Sequence, residues 1–379
     1  MKKKILFITR NLPPLIGGME RLNWHIIDEL STDHDVLLIS HLDARKIVPA
    51  KVSFYGVKLN PLFFFLILAF IKTFWICLTQ RPDILFAGSG LTAPITVFWA
   101  KIFRKKSLVY IHGLDIGTDN PIYNLIWVPS IRMADKIIAN STPTSNICVQ
   151  KGVHQDKLEI IFPGVSFPAP NKNQNLINIL KAQFQLEDKK ILISVGRLTT
   201  RKGILEFIEN SLSTIIQSCP NTILVIIGDT PSQSLNKNLQ SKESILIAAK
   251  KYNIQNNILF TGNISDDELL SSWYYLADIH IFPVKNIPND PEGFGMVAIE
   301  AAAHGIPTIA FATGGIVDAV KHTETGYLIK NQSYSMFNKF TIQLLQNELV
   351  LNERLCKNYA EQFSWYNLKS KLQSLMDNL

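Results

Sequence analysis

Short apolar runs alternate with longer amphipathic stretches along almost the whole chain. Runs such as Ile5–Ile8 and Leu108–Ile111 are apolar throughout and lack the polar alternation of a half-exposed strand. Continuous apolar runs of this length are typical of parallel strands that are buried on both faces. Strands are therefore predicted at residues 4–9, 36–40, 82–87, 107–112, 136–140, 158–161, 191–195, 222–227, 258–261, 279–282 and 307–310.

The amphipathic stretches between these runs predict helices, so strands and helices alternate through both halves of the chain. A stiff linker at residues 162–170, which carries three prolines, separates the two series. We predict an α/β protein of two Rossmann-like, doubly wound domains, residues 1–165 and 171–363. The cleft between such domains is where a ligand is expected.

The most apolar segment is residues 61–78, in which ten apolar residues follow one another. A membrane span needs about 20 predominantly apolar residues, so a span is not our first interpretation. We expect either a buried helix of the first domain or a helix that lies in the membrane surface. The next predicted helix, residues 91–103, ends beside four basic residues. This end resembles an interfacial anchor, although basic residues also simply complement a helix C-terminus.

Charge is distributed unevenly between the two halves of the chain. Of the net charge of +7, residues 1–170 contribute the whole excess, with 19 Lys and Arg against 12 Asp and Glu. A basic domain can face nucleic acid or an anionic membrane. The aromatic and basic stacking motifs of nucleic-acid binding are missing from the sequence, so we favour the membrane. Four widely spaced cysteines and an N-terminal apolar run too short for a signal peptide predict a cytoplasmic protein.

Residues 291–300 form a glycine-rich loop that leads into a predicted apolar helix. Gly293 and Gly295 have no Cβ, so the backbone there can approach a ligand closely. The first free N–H groups of the helix favour an anion. Glu292 precedes this end, and Glu300 leans back toward it, as helical side chains do. The pattern suits a sugar nucleotide, although a capped core helix with two solvated glutamates has the same appearance.

Two further groups follow predicted strand ends, where open α/β sheets bind ligands. The loop Gly17–Gly18 lies between the first strand and a helix, which is a phosphate-binding arrangement, although it lacks the spaced three-glycine dinucleotide pattern. Arg197 and Lys202 follow the strand at residues 191–195. They could clamp a diphosphate from two sides, or they could be solvated loop charges.

His112 and Asp115 follow the predicted strand at residues 107–112. A histidine at this position can donate a hydrogen bond to a sugar hydroxyl or stabilise a developing charge. Asp115 could orient the histidine. The alternative is a loop histidine with an ordinary local partner, and the residues by themselves do not decide between the two.

In their order along the chain, these stretches resemble the glycosyltransferase family 4 enzymes, which are retaining sugar transferases of the GT-B fold. The resemblance runs from the first strand to the C-terminus. It implies that residues 364–379 cross back onto the first domain as a final helix. The matching pieces are Pro14–Glu20, His112–Asp115, Gly196–Leu198 with Lys202–Gly203, Glu292 and Glu300 at the family's spacing, Gly314–Gly315, and Phe363–Trp365.

The resemblance implies a role for each matching residue. Arg197 and Lys202 are expected to hold the donor phosphates and stabilise the leaving diphosphate, and Glu300 to bind the ribose. The implied catalytic residues are His112, Glu292, Arg197 and Lys202. The implied donor-binding residues are Gly17, Gly18, Arg197, Lys202, Glu292, Phe294, Gly295, Met296, Val297 and Glu300. Because cationic side chains can neutralise the leaving group, we expect no metal ion and no cofactor besides a UDP-sugar or GDP-sugar substrate.

Acceptor and location follow from the resemblance and from the basic, apolar first domain. We expect a saccharide or polyprenyl-diphosphate-linked acceptor for surface polysaccharide or O-antigen, reached by a peripheral protein on the cytoplasmic membrane face. One alternative is a sugar-nucleotide 2-epimerase-like isomerase, which would convert the donor without an acceptor. Another is a non-catalytic, membrane-associated assembly partner with a vestigial cleft. The Arg197/Lys202 and Glu292/Glu300 pattern argues against both.

Overall fold

The computed structural model describes residues 2–230, 239–288 and 290–379. It divides into two compact units. The first unit comprises Met1–Gly164, Pro288–Phe294 and Trp365–Leu379, and the second comprises Val165–Ile287 and Gly295–Ser364. The segment Pro288–Phe294 therefore packs with the first unit, although it lies far along the chain. The predicted domain boundaries placed this segment in the second domain.

The first unit is built on a parallel sheet of seven strands in the order β3-β2-β1-β4-β5-β6-β7. The strands are β1 (Lys4–Ile8), β2 (Asp35–His41), β3 (Ser53–Val57), β4 (Ile84–Ala87), β5 (Lys106–Ile111), β6 (Lys136–Ala139) and β7 (Leu158–Ile160). The helices that connect them are α1 (Gly18–Asp33), α2 (Leu62–Gln80), α3 (Ala93–Ile102), α4 (Leu114–Gly117), α5 (Pro121–Arg132) and α6 (Thr142–Gln150).

The second unit is built on a parallel sheet of six strands in the order β10-β9-β8-β11-β12-β13. The strands are β8 (Lys190–Val195), β9 (Thr222–Ile227), β10 (Ile258–Gly262), β11 (Ile279–Phe282), β12 (Thr308–Phe311) and β13 (Gly326–Ile329). The helices are α7 (Gln174–Phe184), α8 (Ile204–Phe207), α9 (Ser213–Ser218), α10 (Lys242–Lys251), α11 (Asp267–Leu276), α12 (Met296–Ala303), α13 (Ile316–Ala319), α14 (Tyr334–Leu345) and α15 (Glu353–Glu361).

Both sheets are doubly wound, with the first strand of each unit near the centre of its sheet, and this confirms the predicted pair of Rossmann-like domains. The central strands are apolar runs because helices cover both of their faces; Ile5 to Ile8 are fully buried. The edge strand β3 was missed in the sequence, since SFYGV is only partly buried and has no continuous apolar run. The edge strand β13 was missed as well.

The last helix, α16 (Trp365–Asp377), packs on α1 in the first unit, which confirms the predicted crossover. Leu368 and Leu372 of α16 are buried in the same apolar cluster as Ile26 of α1. The Trp365 ring stacks on the His25 ring, with centroids 3.8 Å apart. Burial and the nearby Arg21 lower the pKa of His25 to about 4, so the ring stays neutral near pH 7.

The predicted apolar segment is the helix α2, and only one of its faces is buried. Phe65, Ala69 and Ile76 pack into an apolar cluster with strands of the sheet. By length and composition, α2 is the one helix in the described ranges that could cross a membrane, with a mean hydropathy of 2.3, yet only 28% of that window is buried. The prediction of a buried helix is therefore right for one face and wrong for the other.

Candidate active site

Arg197 and Lys202 line one shallow pocket at the carboxyl ends of the strands of the second unit. Arg197 leaves the end of β8, and Lys202 closes the short helical turn Thr200–Lys202 that follows. The Lys202 ammonium lies 4.7 Å from the centroid of the Phe282 ring, at the end of β11. The aromatic face attracts the cation and holds it over the pocket. Two cations on one wall form a site that favours an anion.

The start of α12 lies against the same phenylalanine. Gly295 precedes the helix, and a Cβ at this position would lie 3.0 Å from Cε1 of Phe282. The helix begins at Met296, so its N-terminal end lies at the carboxyl edge of the sheet, where the helix dipole favours an anion. Lys202 and the α12 N-terminus therefore border the same aromatic ring, from two different elements.

Glu300 is buried one turn into α12. The hydroxyl of Tyr274, on α11, donates a hydrogen bond to Glu300 Oε2 over 3.1 Å. The Tyr274 ring stacks on the His304 ring at 4.8 Å, and His304 Nδ1 bonds the Glu300 carbonyl oxygen. Burial lowers the pKa of His304. A tyrosine that fixes this carboxylate was not predicted, because Tyr274 reaches Glu300 only through the packing of α11 on α12.

His112 lies at the carboxyl end of β5 and is buried in the first unit. Its Nε2 is 2.9 Å from the carbonyl oxygen of Gly88. A carbonyl oxygen only accepts, so Nε2 carries a proton and donates this hydrogen bond. The Tyr110 ring stacks on the imidazole at 4.9 Å. The expected contact of His112 with a sugar hydroxyl or a developing charge stays a prediction.

Asp115 contacts the backbone of this site. One carboxylate oxygen accepts from the His112 N–H and the other from the Gly90 N–H, each at 2.8 Å. The Tyr123 hydroxyl donates to the Asp115 carbonyl oxygen at 2.6 Å. Asp115 thus joins the ends of β4 and β5, and its contact with His112 is through the main chain.

The loop that carries Glu292 lies beside His112 within the first unit. A Cβ at Gly293 would lie 2.5 Å from the His112 carbonyl oxygen and 2.7 Å from Nδ2 of Asn140. The next residue, Phe294, stacks on the Phe162 ring at 5.5 Å. Only a glycine permits this close approach of two backbones. The structure therefore brings the Glu292 loop and His112 together.

Gly17 caps α1 in the first unit and Gly18 is the first residue of that helix, so the glycine pair lies at the start of a helix as predicted. Behind it lies a buried polar cluster that the sequence reasoning missed. Asn11 donates to Glu20 Oε1 at 2.8 Å, and Asn23 donates to the Asn11 carbonyl oxygen at 3.0 Å. Burial lowers the pKa of Arg10 beside them, and Glu20 opposes that effect. The sequence feature that could have predicted this cluster is the run of polar residues 9–11 directly after the first strand. It lies at the carboxyl end of the strand, where open α/β sheets bind ligands.

The predicted site residues thus fall into two groups. One lies in the second unit (Arg197, Lys202, Gly295, Met296, Val297 and Glu300), and the other in the first (Gly17, Gly18, His112, Glu292 and Phe294). The boundary between the units falls inside the glycine-rich motif. That both groups face one cleft stays a prediction. In the described ranges, no cluster of three or more His, Cys, Asp or Glu could hold a metal ion.

Solved structures define the class of fold. Over the full length of both chains, the protein resembles Anabaena HepE, solved in complex with UDP, with a TM-score of 0.77 and 18% sequence identity. At this identity the likeness shows the fold alone. Together with two doubly wound parallel sheets and a crossover helix, it shows a GT-B fold.

Family comparisons identify the chain further. The description "Glycosyltransferase Family 4" matches residues 16–167, and "Glycosyl transferases group 1" matches residues 177–363. An uncharacterised glycosyltransferase of Methanocaldococcus jannaschii is 22% identical over 96% of this chain and 95% of that protein. The chain belongs to glycosyltransferase family 4 and is a nucleotide-sugar-dependent glycosyltransferase.

A second relative matches over a shorter region. The GDP-mannose-dependent alpha-(1-6)-phosphatidylinositol monomannoside mannosyltransferase of Mycobacterium tuberculosis is 25% identical over 58% of this chain. The match covers 55% of the mycobacterial enzyme, about half its length. Membership of this family supports a glycosyltransferase and argues against the epimerase-like isomerase and the non-catalytic assembly partner.

Proposed function

We propose that this chain is a retaining glycosyltransferase that moves a sugar from UDP-sugar or GDP-sugar to a lipid-linked saccharide. The reaction takes place at the cytoplasmic membrane face, in the synthesis of surface polysaccharide such as O-antigen. One observation carries the donor half of the proposal. Arg197 and Lys202 line the same pocket, and the Phe282 ring under Lys202 also borders the start of α12.

The chemistry needs charge stabilisation more than proton transfer. When the sugar–phosphate bond breaks, negative charge grows on the leaving diphosphate, and the sugar becomes oxocarbenium-like. Arg197, Lys202 and the N–H groups at the start of α12 supply positive charge for the diphosphate. His112 and Glu292 contact the sugar, His112 through a hydrogen bond between its ring and a hydroxyl group. No step in this scheme requires a metal ion.

The nucleoside of the donor is uridine or guanosine. HepE was solved with UDP, and the mycobacterial relative is named for GDP-mannose, so both nucleosides occur among similar proteins. A thermal shift with UDP and GDP separates them, because a ligand that binds only the folded state raises its stability. The preferred nucleotide is expected to raise the Tm, by an amount that grows with its concentration.

The proposal of a lipid-linked acceptor is based on features of the first unit. Residues 1–170 carry the whole positive excess, and the exposed face of α2 is apolar. The mycobacterial relative is named for a phosphatidylinositol-linked acceptor. A basic domain with an exposed apolar surface suits a substrate that stays in the bilayer.

A donor panel with lipid-linked acceptors tests the proposal. Lys202→Ala is expected to lower kcat/KM by about 10²-fold or more, the size that loss of one charge-stabilising group has elsewhere. Lys250→Ala, an exposed lysine on α10, is the matched control and is expected to leave kcat/KM within twofold. His112→Ala and Glu292→Ala are expected to lower the turnover at saturating donor.

Two further measurements test the stereochemistry of the reaction and its dependence on a metal ion. An NMR spectrum of the product is expected to show the anomeric configuration of the donor sugar. Chelation with EDTA is expected to leave the rate unchanged. Full transfer by all three alanine variants would refute the site assignment, and an inverted product would refute retention.

A further inference from the structure

The outward face of α2 is apolar from end to end. Phe63, Ile67, Ile71 and Trp75 are each four residues apart, so they form one stripe along the helix. Each of these side chains is between 47% and 57% exposed. A water-facing helix normally carries charged and polar residues on this side. Lys72 is the one charged residue in α2, and its ammonium is turned to the Gly56 carbonyl oxygen at 2.7 Å.

Helix α3 extends the same surface. The Phe70 and Phe98 rings lie 5.3 Å apart, and the Phe74 and Trp99 rings 5.1 Å apart, so the two helices are joined by aromatic side chains. On the outside of α3, Phe98 and Ile102 are exposed. We call this surface the α2–α3 face, defined by Phe63, Ile67, Ile71, Trp75, Phe98 and Ile102.

The border of the α2–α3 face is basic. Lys101, Arg104 and Lys106 are exposed at the end of α3, beside the end of α2 that carries Trp75. Neither α2 nor α3 contains an acidic residue. A second copy docking through this face would bring the same positive border against itself. An anionic lipid surface offers the complement, apolar chains for the stripe and negative headgroups for the border.

Topology determines how α2 can meet a bilayer. The helix connects β3 to β4, and both strands belong to one sheet, so both ends of α2 remain on the same side of any membrane. Its inner face is buried against that sheet. A helix of 19 residues held in this way lies along the bilayer surface and does not cross it.

We propose that the α2–α3 face docks this enzyme on an anionic bilayer by inserting its apolar stripe among the acyl chains. The basic border contacts the headgroups and adds to the binding. The proposal deepens the proposed function, on which it rests for the lipid-linked acceptor, and names the surface that meets the membrane. Insertion is the specific claim, since electrostatic attraction by a basic domain would need no apolar stripe.

Vesicle flotation tests the proposal without any acceptor, so its outcome is separate from that of the transfer assay. The full chain is mixed with phosphatidylcholine vesicles containing 0 or about 30% phosphatidylglycerol, at low and high salt. Ile67→Glu/Ile71→Glu is the test variant. Ile179→Glu/Ile247→Glu, two exposed isoleucines of the second unit, is the matched control. The Tm and the nucleotide thermal shift check that each variant is folded.

The wild type and the control variant are expected to float with anionic vesicles, and Ile67→Glu/Ile71→Glu to lose at least tenfold in partition coefficient. Lys101→Glu/Arg104→Glu is expected to weaken only the salt-sensitive part. Vesicles with brominated acyl chains are expected to quench the wild-type tryptophan fluorescence, and Trp75→Phe to lose part of that quenching. Equal flotation of Ile67→Glu/Ile71→Glu and wild type would overturn insertion. So would a wild-type dimer that this variant turns into a monomer without any vesicle binding.

Discussion

Replacing Gly203 by alanine perturbs the turn that carries Lys202. Gly203 has φ +70°, the left-handed region that favours glycine, and lies against the end of β11. A Cβ at this position would lie 2.1 Å from the Pro283 carbonyl oxygen. That contact is with backbone, so no side-chain rotation can relieve it. The turn has to move away from Pro283 and take Lys202 with it.

Gly262 provides the control because its φ also lies in the left-handed region and it lacks the contact. Its φ is +73°, and a Cβ there would meet no atom within 4 Å. Gly262→Ala therefore costs only the left-handed backbone, about 1 kcal/mol. The loss of chain freedom in the unfolded state is the same for both variants. The extra cost at Gly203 is the steric term, and overpacking at a rigid site costs about 2 kcal/mol.

Calorimetric unfolding measures this difference. For a unit of about 200 residues, 1 kcal/mol shifts the Tm by about 2–4 °C. Gly262→Ala is expected to lower the Tm of the second unit by about 2–4 °C, and Gly203→Ala by about 4–8 °C more. Titration calorimetry with UDP or GDP is expected to show at least tenfold weaker binding for Gly203→Ala alone, because the turn with Lys202 has moved.

Two outcomes would refute this reasoning. Equal Tm values for the two variants would mean that the Pro283 contact relaxes without cost. A destabilised Gly203→Ala variant with normal nucleotide affinity would mean that the position of Lys202 does not matter for the donor.

Three further changes test other parts of the site. Tyr274→Phe removes the hydrogen bond to Glu300, and bonds to charged groups contribute about 1.5–3 kcal/mol, so donor affinity is expected to fall about tenfold. If Glu300 binds ribose, the preference for UDP or GDP over its 2′-deoxy form is also expected to shrink, and an unchanged preference in calorimetry would contradict that role. Gly293→Ala places a Cβ 2.5 Å from the His112 carbonyl oxygen. The transfer rate is therefore expected to fall at least tenfold, while the thermal shift produced by the nucleotide persists. A normal transfer rate would show that the loop adapts to the added methyl group. Burial, with the nearby lysine, lowers the pKa of His280 to about 3, so below pH 6.5 the unfolded chain binds a proton there that the folded chain does not. This histidine alone is expected to lower the free energy of unfolding by about 1.4 kcal/mol per pH unit below 6.5, and His25 adds a contribution of its own. His280→Asn is expected to reduce the total slope by the share of one histidine in urea unfolding at pH 7 and 5, and an unchanged slope would assign it to other groups.

Strands and their order along the chain were readable from the sequence because parallel strands are buried on both faces. Ile84–Ala87 and Ile279–Phe282 are strands in the structure, as their apolar pattern predicted. The edge strands Ser53–Val57 and Gly326–Ile329 were not found. Ser53–Val57 is only partly buried, so its residues need not be apolar. Gly326–Ile329 is mostly buried, but its apolar run is only three residues long, too short to be recognised as a strand from the pattern.

The two faces of α2 show a limit of pattern reading. The segment is apolar all round, so periodicity cannot tell which side packs on the sheet. Phe65 is buried and Phe64 is 46% exposed, although they are neighbours of the same residue type. Only the position of the sheet decides between them.

The sequence by itself determined the fold class, the order of the motifs and the residue types at each strand end, because local periodicity and glycine positions depend on near neighbours in the chain. The tertiary structure decided the partners: Tyr274 on Glu300, Asp115 on the His112 backbone, and the Glu292 loop beside His112. Tyr274 and Glu300 are 26 positions apart, Gly293 and His112 are 181 positions apart, and Asp115 accepts from Gly90 as well as from its near neighbour His112. Packing of whole helices and sheets sets such distances, and no local pattern encodes them.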